Sequence, residues 1–191
     1  MALVLTAAPT AEPVTLAEAK AHLRVEEAGE DPFIAALIET SRLHIEAALG
    51  LALLTQTWSW RLDGWPDGDA VVLPLKPVQA IPAVRITAAD GTVETMPASS
   101  YILDGASAPP RLHPKAGRWP QPGARAQGIE IELVAGYGDE VTSVPAPIRQ
   151  ALLMLVAHWY EHREPVLAGT VPAPIPDTVS ALLAPYRTVR L

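Results

Sequence analysis

The chain has 191 residues, 49% of them hydrophobic and 18% charged, with a formal net charge of −7 and no cysteine. The apolar content suffices for one core, or for one domain carrying a large insertion, while the missing cysteines exclude disulfides and thiolate metal sites. An acid excess also excludes a bulk basic footprint of the kind that grips nucleic acid.

Twenty prolines say that much of the surface is loop and turn. No run reaches the roughly 18 apolar residues of a membrane span. The opening MALVLTAAPTAEP has no basic side chain before Lys20 and does not read as a signal peptide. These features predict a soluble chain, cytoplasmic when made, with no membrane partner.

Residues 1–13 read as either a short strand or a disordered arm. Thr15 and Glu18 form a T-x-x-E capping box, and a first helix follows with Leu16, Ala19 and Leu23 on one face. The pattern breaks around Gly29 among Glu26, Glu27, Glu30 and Asp31. Asp31 and Pro32 then supply an N-cap and a first-position proline. The second helix carries Ile34, Leu37, Ile38, Ile45, Ala48 and Leu49, and Gly50 ends it. Two helices with a short acidic link predict a hairpin.

At about Thr55 the apolar period changes from 3.6 to 2. Residues 57–62 (TWSWRL) alternate, 71–75 (VVLPL) form a short apolar run, and 84–87 (VRIT) alternate again. Asp90 and Gly91 mark a hairpin turn into residues 92–96, and Tyr101, Ile102 and Leu103 form a further strand. A long Pro/Gly-rich loop runs through Pro109, Pro110, Pro114, Gly117, Trp119 and Pro122. Residues 129–134 (IEIELV) are the last strand, alternating apolar and acidic. This alternation predicts strands without fixing their pairing.

The longest amphipathic segment lies at 145–163. Pro147 suits a first helical position, and Ile148, Ala151, Leu152, Leu155, Val156 and Trp159 recur at helical spacing. Arg163 and Pro165 supply the stop. Such an apolar helix needs partners, and those lie in the N-terminal hairpin. The predicted core is Leu23, Ile34, Leu37, Ile38, Ile45, Leu152, Leu155 and Trp159. Beyond it, four prolines in residues 165–176 predict a stiff linker. Asp177 would cap a short helix over 179–184, and the tail at 186–191 has two arginines and no acid.

The fold class that follows is α+β. It is a small helical bundle, made of the N-terminal hairpin plus the long helix of the C-terminal half, with an inserted antiparallel β module. The expected division is 1–54 for arm and hairpin, 55–143 for the β module, 144–164 for the long helix, and 165–191 for linker, short helix and tail.

His158, Glu161 and His162 match H-x-x-E-H, in which two histidines a turn apart bind zinc and the glutamate acts as base. A hydrolytic site needs a third ligand. Glu164, two residues beyond His162, faces elsewhere, and Asp177 is the other downstream acid. Histidines favoured by the negative end of the helix explain the motif with less. Asp63, Asp67 and Asp69 have the wrong spacing for a calcium loop and read as a solvated turn. Gly136, Tyr137 and Gly138 lack the remaining residues of a phosphate loop. His22, His44 and His113 are isolated. Trp58, Trp60, Trp65 and Trp119 are core or interface anchors, with core the simpler assignment. The residues predict no catalysis, no metal and no cofactor.

In order along the chain, PVTLAEAKAHLRV at 13–25 (Pro13, Thr15, Glu18, Lys20, Leu23, Arg24, Val25) resembles the opening of the head–tail connector (adaptor) family of tailed phages and gene transfer agents. The resemblance continues through Ile34 and Ile38, Ile45 and Glu46, QTW at 56–58, LPLKPV at 73–78, the Asp90 turn and YIL at 101–103. WP at 119–120, AGYG at 135–138, VPAPI at 144–148 and YEHRE at 160–164 complete it, so that it covers nearly the whole chain.

The resemblance implies a structural virion protein, not an enzyme. It would form a ring, commonly of twelve copies, between the portal protein and the tail or stopper (tail-completion) protein. The ring would extend the channel through which double-stranded DNA passes without specific binding. The protein would assemble in the cytoplasm and end at the head–tail junction of the particle. The family's portal contacts imply Tyr186, Arg187, Arg190 and Leu191 as portal-binding residues. Glu26, Glu27, Glu30, Asp31, Asp139 and Glu140 either face the lumen or solvate loops. The alternatives are a binding or assembly-factor module of the same fold outside any particle and, as an outsider, a zinc hydrolase using HWYEH.

Overall fold

The change of apolar period near Thr55 separates two kinds of structure in the computed structural model, which describes residues 1–162 and 175–187. The fold is α+β. Residues Thr10–Leu49 and Gly138–Leu191 form a helical unit, and Met1–Pro9 with Gly50–Tyr137 form a β unit. Among the described residues no helix is long and apolar enough to cross a membrane.

In the helical unit, α1 (Leu16–Leu23) starts at the predicted capping box. The Thr15 hydroxyl accepts the Glu18 N–H at 3.1 Å and the Glu18 carboxylate accepts the Thr15 N–H at 2.8 Å. Arg24 ends the helix in the left-handed region, with φ 58°. A 3-10 turn at Ala28–Glu30 leads into α2 (Asp31–Leu49). Asp31 is therefore the first α-helical residue and not a cap, and its carboxylate takes the Lys20 ammonium from the end of α1.

The helix α3 (Ala146–Glu161) begins one residue before Pro147. Its predicted stripe is real: Ile148, Ala151, Leu152, Leu155 and Val156 are all fully buried. α2 packs on α3, and α1 touches both. Of the predicted core, Ile34, Ile38, Ile45, Leu152 and Leu155 are buried, whereas Leu23, Leu37 and Trp159 are half-buried. Those three lie on the flank or in the last turn of their helices. Val14, Ala19, Val144 and Ile148 fill the interior there. Finally α4 (Asp177–Leu183) seals against α3 through Val179 and Leu183.

The β unit holds two antiparallel sheets. In one, β1 (Ala2–Ala7), β2 (Gln56–Leu62), β8 (Ile129–Ala135), β4 (Val78–Thr87) and β5 (Val93–Thr95) lie in that order. In the other, the order is β3 (Val71–Val72), β7 (Arg111–Pro114), β6 (Tyr101–Asp104). The central strand β8 turns Ile129, Ile131, Leu133 and Ala135 inward and Glu130 and Glu132 outward, as its alternation requires. Trp60, Leu62, Val84, Val71, Leu112 and Trp119 join the same core.

Of the two readings of the opening residues one holds, and three other expectations change. The opening residues are an edge strand, since ALVLTA is β-prone and its backbone pairs with β2. Residues 50–54 also belong with the sheet, because Leu51, Ala52, Leu53 and Leu54 are buried there and Ala52 donates to the Lys76 carbonyl at 3.0 Å. Strand β4 begins six residues earlier than its alternation shows. Pro82 interrupts the pattern, and the ladder register shifts there, which accommodates a residue with no N–H. The Pro/Gly-rich loop hides β7, too short to alternate visibly, yet Leu112 within it is fully buried. The predicted helix stop at Arg163 and most of the linker lie outside the described residues.

Gly136 has φ +138°, and a Cβ there would sit 2.4 Å from the Leu54 backbone. Gly136→Ala is expected to cost about 3 kcal/mol through strain and overlap. Gly29→Ala meets nothing within 4 Å and should change stability by less than about 0.5 kcal/mol. Urea unfolding of the two variants measures the difference; equal midpoints would refute the close approach.

Candidate functional site

Tethering to a partner requires side chains that the fold holds but does not consume. In the C-terminal segment, Arg187 meets that condition. α4 is pinned by Val179 and Leu183, and a 3-10 turn at Ala184–Tyr186 follows directly. Pro176 occupies the N-cap position, so Asp177 favours the helix by charge in its first turn. The turn leaves Tyr186 half-buried and Arg187 exposed, with the Arg187 N–H on the Ala184 carbonyl at 3.3 Å. Two of the four tail residues are thus brought together beside an anchored helix. Arg190 and Leu191 lie outside the described residues.

The predicted acidic residues divide. Glu26, Glu27, Asp139 and Glu140 are exposed, whereas Asp31 pairs with Lys20 and Glu30 accepts the Tyr160 hydroxyl. Arg24, Val25, Glu26, Glu27, Glu30 and Tyr160 line an open hollow of about 440 Å³. In HWYEH, the His158 and His162 rings lie 4.7 Å apart and the His162 N–H caps the His158 carbonyl at 3.1 Å. Among the described residues no group of three or more His, Cys, Asp or Glu could hold a metal ion. Glu164 lies outside them. The aspartate-rich turn is spoken for in part: Asp63 accepts the Gln127 N–H at 2.8 Å.

Of the tryptophans, Trp60 and Trp119 are buried, and Trp65 stacks on Trp119 at 4.3 Å. The Trp58 indole N–H is buried and has no acceptor among the described residues.

Sequence reasoning missed two ionic nodes. Arg42, on the buried side of α2, bonds Glu12 at 2.8 Å and Glu46 at 3.0 Å. Its signal was an Arg–Glu pair at i,i+4 inside an apolar stripe. Arg149 of α3 bonds the Pro13 carbonyl at 3.2 Å and pairs with Glu18. The Thr15 backbone N–H holds the Glu18 carboxyl below its ordinary range, against desolvation, with help from the Thr15 hydroxyl and Arg149.

Neither a protein-family sequence profile nor any curated protein matches the chain. Solved structures do. A chain in the neck of an empty gene transfer agent (GTA) particle, computed with C6 symmetry, matches with TM-score 0.86 and 28% identity, covering 100% of this chain and 97% of that one. A chain in the virion of a native GTA particle matches with TM-score 0.84 and 28% identity over the same shares. A chain in the neck of a native GTA particle, computed with C12 symmetry, matches with TM-score 0.76 and 30% identity, again over 100% and 97%. The chain belongs to the head–tail connector (adaptor) family of tailed phages and gene transfer agents.

Among the residues that carry the resemblance, Thr15 and Glu18 cap the first helix of this connector's helical unit. A lowered folded-state pKa means that ionised Glu18 contributes stability fully above its unfolded value, and loses it as pH falls through the folded one. Glu18→Gln is expected to cost about 1 kcal/mol at pH 7, kept small because the side chain is 40% exposed. Thermal melts of both proteins should converge as the pH drops through the acidic carboxylate range. A constant gap would remove charge from the account.

Proposed function

We propose that this connector is a ring-forming subunit of the neck of a phage-like particle, seated between the portal protein and the tail or stopper protein and extending the DNA channel. The protein is a structural particle component, and its work is shape and contact. The observation that carries the reading is whole-length likeness to chains of GTA necks averaged with C6 and C12 symmetry. Twelve copies satisfy both symmetries. A closed ring needs heterologous contacts, in which two different surfaces of the chain meet.

Portal binding falls to the C-terminal segment. Anchoring α4 lowers the ordering cost of whatever follows it, and the exposed Arg187 guanidinium, which has no ion pair among the described residues, can meet an acidic surface. With a net charge of −7 per subunit, the ring would carry a strongly negative field that lets DNA phosphates slide instead of stick. Assembly in the cytoplasm and docking at the head–tail junction complete the proposal.

Native mass of the purified chain, alone and mixed with the portal protein of the same particle, tests this. Stoichiometric capture on the portal as a twelve-subunit ring is expected. Deleting residues 186–191 should weaken capture by about tenfold or more. Capture that survives the deletion would move the contact elsewhere on the subunit. A chain that stays monomeric and ignores the portal would instead favour a free-standing binding module.

A further inference from the structure

The two units carry unequal charge. The helical unit has thirteen acidic and seven basic residues, a net −6, while the β unit has eight and seven, a net −1. Within the β unit, residues 105–129 contain no Asp or Glu at all, yet they hold Arg111, Lys115, Arg118 and Arg125. All four are exposed, and none forms an ion pair among the described residues. By contrast, Lys20, Arg42, Arg61, Arg85 and Arg149 each pair with a carboxylate.

This stretch is held in place. The Lys115 N–H bonds the Ser100 carbonyl at 2.8 Å, and those of Gly123 and Ala124 bond the Thr87 carbonyl at 3.0 and 3.1 Å. Trp119 is buried, stacks on Trp65 and donates to the Asp69 carbonyl at 3.1 Å, while Trp65 donates to the Pro120 carbonyl at 2.7 Å. Gly123 lies so close to Ala89 that a Cβ would come within 2.2 Å of its nitrogen. The loop therefore presents its cations from a fixed backbone, which lowers the entropy lost when they meet an anion.

The matching anions are in the helical unit. Glu26, Glu27, Glu39, Asp139 and Glu140 are exposed and, among the described residues, have no ion pair. We propose that the loop at 115–125 is the cationic half of the subunit–subunit contact, docking on the acid-rich helical unit of a second copy of this chain. The inference rests on the ring reading above and gives it two unlike, complementary surfaces, as a heterologous contact requires.

The test reverses each half. One full-length variant carries Lys115→Glu, Arg118→Glu and Arg125→Glu; the other carries Glu26→Lys, Glu27→Lys and Glu39→Lys. Native mass, alone and with the portal protein, should show each variant losing the ring population about a hundredfold. Mixing the two should restore rings of alternating subunits, because each loop then faces an opposite charge; that recovery separates lost contact from misfolding. Rings of wild-type abundance from the loop variant alone would overturn the proposal. If that variant also lost affinity for duplex DNA, the loop would instead belong to DNA phosphates. Loss of rings with no recovery on mixing would overturn the helical unit as acceptor. A wild-type chain that never forms a ring would overturn the ring reading itself, and the inference with it.

Discussion

Arg149 and Glu18 are 131 residues apart in sequence and form an ion pair, and Arg149 reaches the Pro13 carbonyl as well. The helical unit depends on that junction, because its first two helices and its third are separated by the whole of Gly50–Tyr137. Closing so long a loop costs entropy, though each doubling of length adds only about 0.6 kcal/mol. The return comes from burying one continuous stripe, Ile148 to Val156, against the inner side of α2. Apolar burial supplies the energy and the ion pair supplies register. The carboxylate that receives Arg149 is already fixed by the Thr15 cap, so little freedom is left to lose when the two meet.

Such an arrangement makes demands on the backbone where the chain passes from one unit to the other. It leaves α2 at Gly50, with φ +62°, and re-enters the helical unit at Gly138, with φ +150°. Both conformations suit a residue without Cβ. At Gly138 a Cβ would also meet the Ser143 side chain at 2.6 Å. The sequence motif AGYG at 135–138 is therefore explained by geometry: one glycine admits the Leu54 backbone and the other turns the chain back toward α3.

The helices were legible because their signals are local. The capping box of α1, the Gly50 stop and the stripe of α3 each follow from residues within a few turns of one another. The β unit was legible only where alternation ran uninterrupted, as in β2 and β8. Pro82 masked half of β4, and β7 was masked by the prolines around Leu112, since four residues are too few to show alternation and the pairing with β3 is a long-range event. Of the candidate site, the position of the short C-terminal helix could be read, together with the exposure of the arginine beyond it. The buried Arg42 node could not. The local pair with Glu46 was its one signal, and the role of a charged residue at a core position shows only once Glu12 arrives from 30 residues away.

Charge, finally, behaves differently in the two units, and that difference bears on how a neck component can serve two masters. In the sheet, Glu130 and Glu132 lie between Arg61 and Arg85, and the Ser59 hydroxyl holds the Glu130 carboxyl below its usual range, opposed by partial burial and aided by both arginines. The charges of that cluster are consumed internally, and the unpaired cations of the β unit lie apart from it, at 111–125. In the helical unit the surplus carboxylates stay exposed after Lys20, Arg42 and Arg149 have been neutralised. Exposed charges of one sign interact over roughly 8–10 Å in physiological salt. In the proposed ring, those left unpaired would repel passing phosphates at that range, whereas those in contact with a fixed cationic loop would be neutralised by it. A mobile basic loop would pay its ordering cost on every encounter; the anchored loop at 115–125 has settled that cost in folding. In the proposed ring the acid surplus is thus divided between the two tasks, because carboxylates that pair across a subunit contact no longer contribute to the field that DNA would meet.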